Sequence, residues 1–232
     1  MKKTFVSLLS ILLLLLGTGC LPADAAQEET RDLEPFTGIA IGISADVYYT
    51  PGNTHEIRIE GNERDVKELI VKVENGTLKL KYDDWRTGRS KLTIHIISRE
   101  LEKVSVSGSA KFMAEKPVSS EEMSISISGS GTVQFSELKG DEMDVRISGS
   151  GDAAIEKGTA DEMEVDISGS GKLQAEHFSV SELSVNISGS GTCRITVTDE
   201  LDARLSGSGS VYYHGNPEVN SKASGSGKVR SL

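Results

Sequence analysis

The sequence predicts an all-β chain wound as a parallel β-helix, or a closely related β-solenoid, with rungs of about 20 residues. Three observations predict it. The tetrapeptide Ser-Gly-Ser-Gly begins at Ser128, Ser148, Ser168, Ser188, Ser206 and Ser224, with a degenerate copy at Ser107-Gly108-Ser109-Ala110; the first four exact copies start 20 residues apart and the last two steps are 18. Before each copy an apolar residue holds every second position: Met123, Ile125 and Ile127, then Met143, Val145 and Ile147, and so on to Leu201, Ala203 and Leu205. After each copy the alternation resumes, as in Val133 and Phe135, Leu173 and Ala175, Cys193 and Ile195. Period two means a strand with one face in and one face out. A unit this short leaves no room for a helix or for four strands. Equivalent strands therefore stack in parallel, about 4.8 Å apart, and each apolar column continues into the next rung.

The elements follow in order. Residues 1–20 read as an export signal: Lys2 and Lys3, an apolar run from Phe5 to Leu16, then Gly17-Thr18-Gly19-Cys20. A Cys after small residues at the end of such a run resembles a bacterial lipobox, which makes Cys20 the expected lipidation site. Leu16 stands one place further from the Cys than a lipobox prefers, and Ala23-Asp24-Ala25 offers ordinary signal-peptidase cleavage as the alternative. Residues 21–32 are small, polar and acidic and read as a flexible tether. Residues 33–232 read as one solenoid domain. Its first part, 33–100, is β-rich without the period and is expected to cap the N-terminal end, because a bare terminal rung exposes strand edges and core. Within it, residues 63–69 suggest a short helical turn, and Asn75-Gly76 between Val71-Lys72-Val73 and Leu78-Lys79-Leu80 is a hairpin signal. Residues 101–232 are the repeat coils. Their glycines supply the positive φ that a sharp corner needs, and the serines are expected to hydrogen-bond locally or to the next rung.

Chemistry is sparse. The Ser-Gly corners are not phosphate cradles, since no GKS or GKT follows and no helix opens there. They are not nucleophile elbows, since G-x-S-x-G is absent and no His recurs beside them. His55, His95, His177 and His214 fall at unrelated repeat positions, so they suggest neither metal site nor relay. An acidic corner runs through Glu121-Glu122, Asp141-Glu142, Asp161-Glu162, Glu182 and Asp199-Glu200; it reads as solvated, without the dense G-G-x-G-x-D pattern of calcium solenoids. Cys193 sits in the column of Val133, Ala153, Leu173 and Val211, as a small core residue. The formal charge is −10, or −12 once Lys2 and Lys3 leave with the signal, which argues against nucleic acid. One outward face remains as a candidate binding surface: Gln134, Gln174, Arg194, Tyr212 and Arg230. Amide, guanidinium and phenol on a flat sheet suit a glycan or a surface protein. No catalytic residue, metal or cofactor is expected.

Phe36-Thr37-Gly38-Ile39, Asn75-Gly76-Thr77-Leu78, the train of Ile-Ser-Gly-Ser-Gly turns and the closing run from Ser206 to Pro217 together resemble the head GIN domain family of putative autotransporter adhesins. The resemblance covers residues 34–232. It implies an exported bacterial β-solenoid-like domain with no assigned catalytic residues. The expectation is then a non-catalytic cell-envelope binding or adhesion module, held at the outer membrane by a lipid on Cys20, or else periplasmic or secreted. A structural envelope protein that associates with itself is the alternative, and a polysaccharide-active β-helix enzyme a more distant one.

Overall fold

The computed structural model describes residues 26–83 and 86–232; the export signal, Cys20 and the alternative cleavage site lie outside the described residues. The repeat coils stack as the alternation requires. Glu142–Gly149 pairs in parallel with Glu122–Gly129 on one side and with Gly158–Gly169 on the other, setting Met123, Met143 and Met163 in one inward column and Ile127, Ile147 and Ile167 in another. Past the corner, Thr132–Phe135, Asp152–Ile155 and the first residues of Lys172–Gly189 form a second face in the same way. A short third face closes the rung, with Val118–Ser119 on Leu138–Lys139 and Leu138 on Gly158. Seven Ser-Gly corners, the degenerate one included, mark about six turns. The two 18-residue steps lose their residues on the third face, where the pairing jumps from Ala175↔Ile195 to Ser179↔Thr196.

The two glycines of a corner do different work. At Gly149, φ is +115°, a conformation an L side chain adopts only under strain, and the next residue donates its backbone N–H to Gly129 O at 2.9 Å. At Gly171 the reason is space: a Cβ there would run into Cγ2 of Ile147 in the preceding rung and lie 2.8 Å from Gly151 O. The serines ladder through the backbone. Ser150, Ser170, Ser190 and Ser208 each donate N–H to a glycine carbonyl one rung back, at 2.8–2.9 Å, and their side chains stay exposed.

The N-terminal part is more than a lid. Its elements are β1 (Ala26–Asp32), β2 (Gly38–Ile41), β3 (Ala45–Pro51), β4 (Glu56–Asn62), α1 (Glu63–Glu68), β5 (Ile70–Glu74), β6 (Thr77–Lys81) and β7 (Leu92–Ser98). The first coil follows as β8 (Lys103–Gly108) and β9 (Lys111–Ala114). β2 lies in parallel between β6 and β8, and β3 between β7 and β9. Two rungs of the solenoid therefore come from the segment expected only to cap it, and they stack out of chain order: residues 38–51 are sandwiched between 77–98 and 103–114. Only β1, β4, β5 and α1 act as a cap. The hairpin between β5 and β6 forms at Asn75 (φ +51°) and Gly76 (φ +70°), the two positive-φ residues of a type I′ turn.

The tether expectation needs correcting for residues 26–32. They form β1, antiparallel to β4 from Ala26↔Asn62 to Asp32↔Glu56. This strand is held by its backbone ladder and by charge, with Arg31 Nε 2.8 Å from Glu29 and Arg58 bridging to Glu28 at 3.5 Å. A polar edge strand carries no apolar alternation, so it reads like a linker.

The core is one continuous apolar cluster from Phe36 to Val211. Ile147, Ile167 and Ile187 are 2 % exposed or less. Each such side chain contributes about 1.5–3 kcal/mol relative to exposure. Tyr49, Phe112 and Phe135 step down the N-terminal half, with ring centroids 6.1 and 5.6 Å apart. The Tyr49 hydroxyl meets that of Ser98 at 3.1 Å, so neither buried oxygen lacks a partner. Cys193 is fully enclosed in its column, and burial pushes its thiol up to about 12, leaving it an inert core residue. Between β6 and β7, Tyr82 and residues 86–90 are pinned on α1. Buried Asp65 accepts from Arg86 and from Ser90 N–H (2.9 Å), Arg89 reaches Glu68 at 3.2 Å, and the Arg89 guanidinium lies 3.8 Å from the Tyr82 ring centre.

Candidate functional site

The second face carries the candidate residues. In-register stacking turns the third position of each strand after the corner into a single outward row. Gln134 pairs with Ala154, Ala154 with Gln174, Gln174 with Arg194, Arg194 with Tyr212 and Tyr212 with Arg230. All five expected residues thus fall in one line, half-buried or exposed. The row is longer than the repeat suggested. Gln134 pairs with Met113, Met113 with Tyr48, Tyr48 with His95 and His95 with Arg58. Met113 follows the degenerate corner at the same offset at which Gln134 follows its own, whereas Tyr48, His95 and Arg58 sit outside the repeat coils, Tyr48 on a strand out of chain order, so the spacing of the repeat could not find those three. The ten side chains span on the order of 43 Å at the usual strand spacing.

Local pairing sets the character of the row. The Tyr48 and His95 rings stack with centroids 5.1 Å apart and 16° between planes. Gln134 Nε2 donates to Glu156 Oε1 at 2.8 Å. Arg194 Nη1 donates to Glu176 Oε1 at 2.9 Å, and its guanidinium lies 4.7 Å from the Tyr212 ring centre. Small Ala154 interrupts the line of long side chains. Around it opens a depression of about 810 Å³, walled by Gln134, Glu156, Gln174, Glu176, His177 and Arg194. Amides, carboxylates and a guanidinium converge there within a shallow trough. Such a surface can hydrogen-bond hydroxyls and amides and stack on flat ring faces.

The acidic corner is also a continuous column. Glu122, Glu142, Glu162, Glu182 and Glu200 stack in register along a groove of about 820 Å³ whose floor includes Met123, Met143, Met163 and Leu183. Asp144 lies in this groove. Burial raises its carboxyl above the usual carboxylate range, with Arg146 at 2.5 Å opposing the shift.

A family model described as "putative auto-transporter adhesin, head GIN domain" matches residues 35–217. The chain belongs to this family. Solved structures show the same solenoid. A "putative adhesin" from Bacteroides fragilis superposes with a TM-score of 0.86 at 24% identity, covering 92% of this chain and 100% of that one. One from Parabacteroides merdae gives 0.73 at 23% identity, over 89% of this chain and 96% of that one. A "putative lipid binding protein" from Parabacteroides distasonis gives 0.70 at 24% identity, over 89% and 96%. At these identities the likeness establishes the fold. Comparison with curated proteins finds no match. For this GIN-domain chain the family span takes in the whole row except Arg230, and the last rung, 218–232, continues beyond it.

Proposed function

We propose that this GIN-domain chain is a non-catalytic, exported adhesion module that binds an extended polar polymer, a glycan or the outer segment of a surface protein, along the outward row from Arg58 to Arg230. One observation carries the reading: ten chemically varied side chains stand in register on one flat face, with a trough at Ala154 where an extended ligand can settle. The carboxylates beside the row support binding over catalysis. Glu156 and Glu176 are each held by a neighbouring donor, which suits them to fix an orientation rather than to move a proton. The family description points the same way.

A repetitive face shares its load among neighbours, and weak sites act together. Tyr212→Ala or Arg194→Ala alone is expected to weaken retention on a glycan array or on cells about two- to three-fold, well under 1 kcal/mol. Changing Gln134, Gln174, Arg194 and Tyr212 to Ala together is expected to weaken it by orders of magnitude, with Tm little altered because these side chains face water. Incubation with acidic and neutral polysaccharides checks the alternative. Steady release of reducing or unsaturated ends, abolished by one Asp or Glu substitution, would overturn the binding reading.

Attachment to the envelope belongs to Cys20, as a lipid anchor at the outer membrane. Among the described residues no helix is long and apolar enough to cross a membrane. Cys20→Ser is expected to release the protein from the membrane fraction and to block processing at that position. A mature N-terminus at Ala26, or an unchanged membrane fraction, would favour ordinary cleavage.

A further inference from the structure

Two ties border the trough at Ala154 and point away from its centre. Glu156, two residues beyond Ala154, takes the amide of Gln134 one rung back, at 2.8 Å. Glu176, two residues beyond Gln174, takes the guanidinium of Arg194 one rung on, at 2.9 Å. Each tie uses Oε1 of its carboxylate. Among the described residues Oε2 of either carboxylate has no donor, and the exposed amide of Gln174 beside them is uncommitted. Two adjacent rungs therefore offer two oriented acceptors and one group that both donates and accepts. That set matches pairs of hydroxyls, which can give a proton to a carboxylate oxygen and bond an amide both ways.

Charge and spacing narrow the ligand further. Glu156 and Glu176 balance Lys172 and Arg194 in the lining, with His177 taken as neutral, so no net field draws in an ionic polymer. A carboxylate or sulfate on the ligand would also meet the two open acceptor oxygens as like charge. Rungs repeat every ~4.8 Å along the rod, whereas a peptide laid along it returns a side chain to one face only every ~6.8 Å, so the two fall out of step within a few rungs. A pyranose in an extended chain advances by close to the height of a rung. Successive sugars can then meet successive rungs in the same way.

We propose that the trough binds an uncharged, extended polysaccharide laid along the rod, at about one sugar per rung, with pairs of ring hydroxyls on Glu156, Glu176 and Gln174. The inference rests on the outward row being the binding surface. Ala154 is the specificity-determining position, because a longer side chain there fills the space that the sugar ring enters.

The test is affinity gel electrophoresis of the full chain in gels cast with neutral polymers (galactomannan, mixed-linkage β-glucan, hydroxyethylcellulose) or acidic ones (alginate, polygalacturonate). The expected result is retardation by at least one neutral polymer and by neither acidic one. The same binding, followed by calorimetry, is expected to persist in high salt, which screens charge and leaves hydroxyl contacts. Ala154→Trp is expected to weaken it at least tenfold. Ala154→Gln, which only continues the residue type of Gln134 and Gln174, is expected to act in the same direction with the fold intact by circular dichroism. Glu164→Trp, the same enlargement at an exposed position of the first face, is expected to leave binding unchanged. Retardation by acidic polymers alone, by none of the polymers, or undiminished in both folded Ala154 variants overturns the proposal. The reading of the row fails separately. It stands if an acidic polymer or a cell surface is held through Gln134, Gln174, Arg194 and Tyr212, and falls if changing those four together leaves binding intact.

Discussion

Ile167→Asp is expected to cost about 4 kcal/mol or more, a large share of the stability of an ordinary domain. Ile167 is 2% exposed and lies between Ile147 and Ile187 in a parallel column, so its side chain has the core on every side but its own backbone. The substitution removes about 1.5–3 kcal/mol of apolar burial. It also places a carboxylate where no donor is available, a further penalty of several kcal/mol unless the group takes up a proton or the rung opens to water. The adjacent outward position is the internal control. Asp166 accepts from Asn186 Nδ2 at 3.1 Å and stands 3.7 Å from Arg146, but these are solvent-screened contacts. Asp166→Ser is expected to change stability by only about half a kcal/mol. Urea unfolding of the two variants checks the pair, and comparable losses would mean that inside and outside had been exchanged.

Gly149→Ala is expected to destabilise by roughly 3 kcal/mol or more, although it adds a single methyl group. Two separate penalties meet there. The backbone has φ of +115°, and an added Cβ lies 2.6 Å from Gly129 O, a backbone atom fixed in the ladder of the preceding rung. Neither can relax without displacing the corner on which the next rung is laid. Gly108 separates the two effects. It has φ of +98° but nothing within 4 Å of the added Cβ, so Gly108→Ala retains the strain without the collision and is expected to cost about 1–2 kcal/mol. Equal thermal shifts for the two variants would show that strain alone governs the corner.

The coils were legible because each physical demand repeats in the letters. Inward columns require apolar residues at alternate positions, and the corner requires glycine twice, so rung, register and the line from Gln134 to Arg230 could all be drawn beforehand. What escaped has physical reasons. β2 and β3 belong to the rod, but their neighbours in space are 77–98 and 103–114, and strand alternation alone does not say which strand pairs with which. β1 is held by backbone and charge, so its composition matches that of a linker. Within the row, Ala154 is silent as a letter; only its place between Gln134 and Gln174 makes it the floor of a trough. Tyr48, His95 and Arg58 complete the face from segments that do not keep the period.

The out-of-order rung also governs the order in which the molecule can form. Each repeat coil can dock on the one made just before it, a contact about 20 residues back along the chain. Residues 38–51 have no such option, because one of their flanking rungs ends only at Ala114. A chain emerging N-terminus first can pair them on one side once Ser98 has appeared, but must leave their other edge open until Ala114, and closing so wide a loop is slow. The assembled rod is therefore stitched at its N-terminal end by a late, long-range closure, while its other end grows by short local additions. Loss of a terminal coil at the C-terminal side shortens the molecule; loss of residues 38–51 would take out an interior layer and leave the two rungs beside it to meet across a gap.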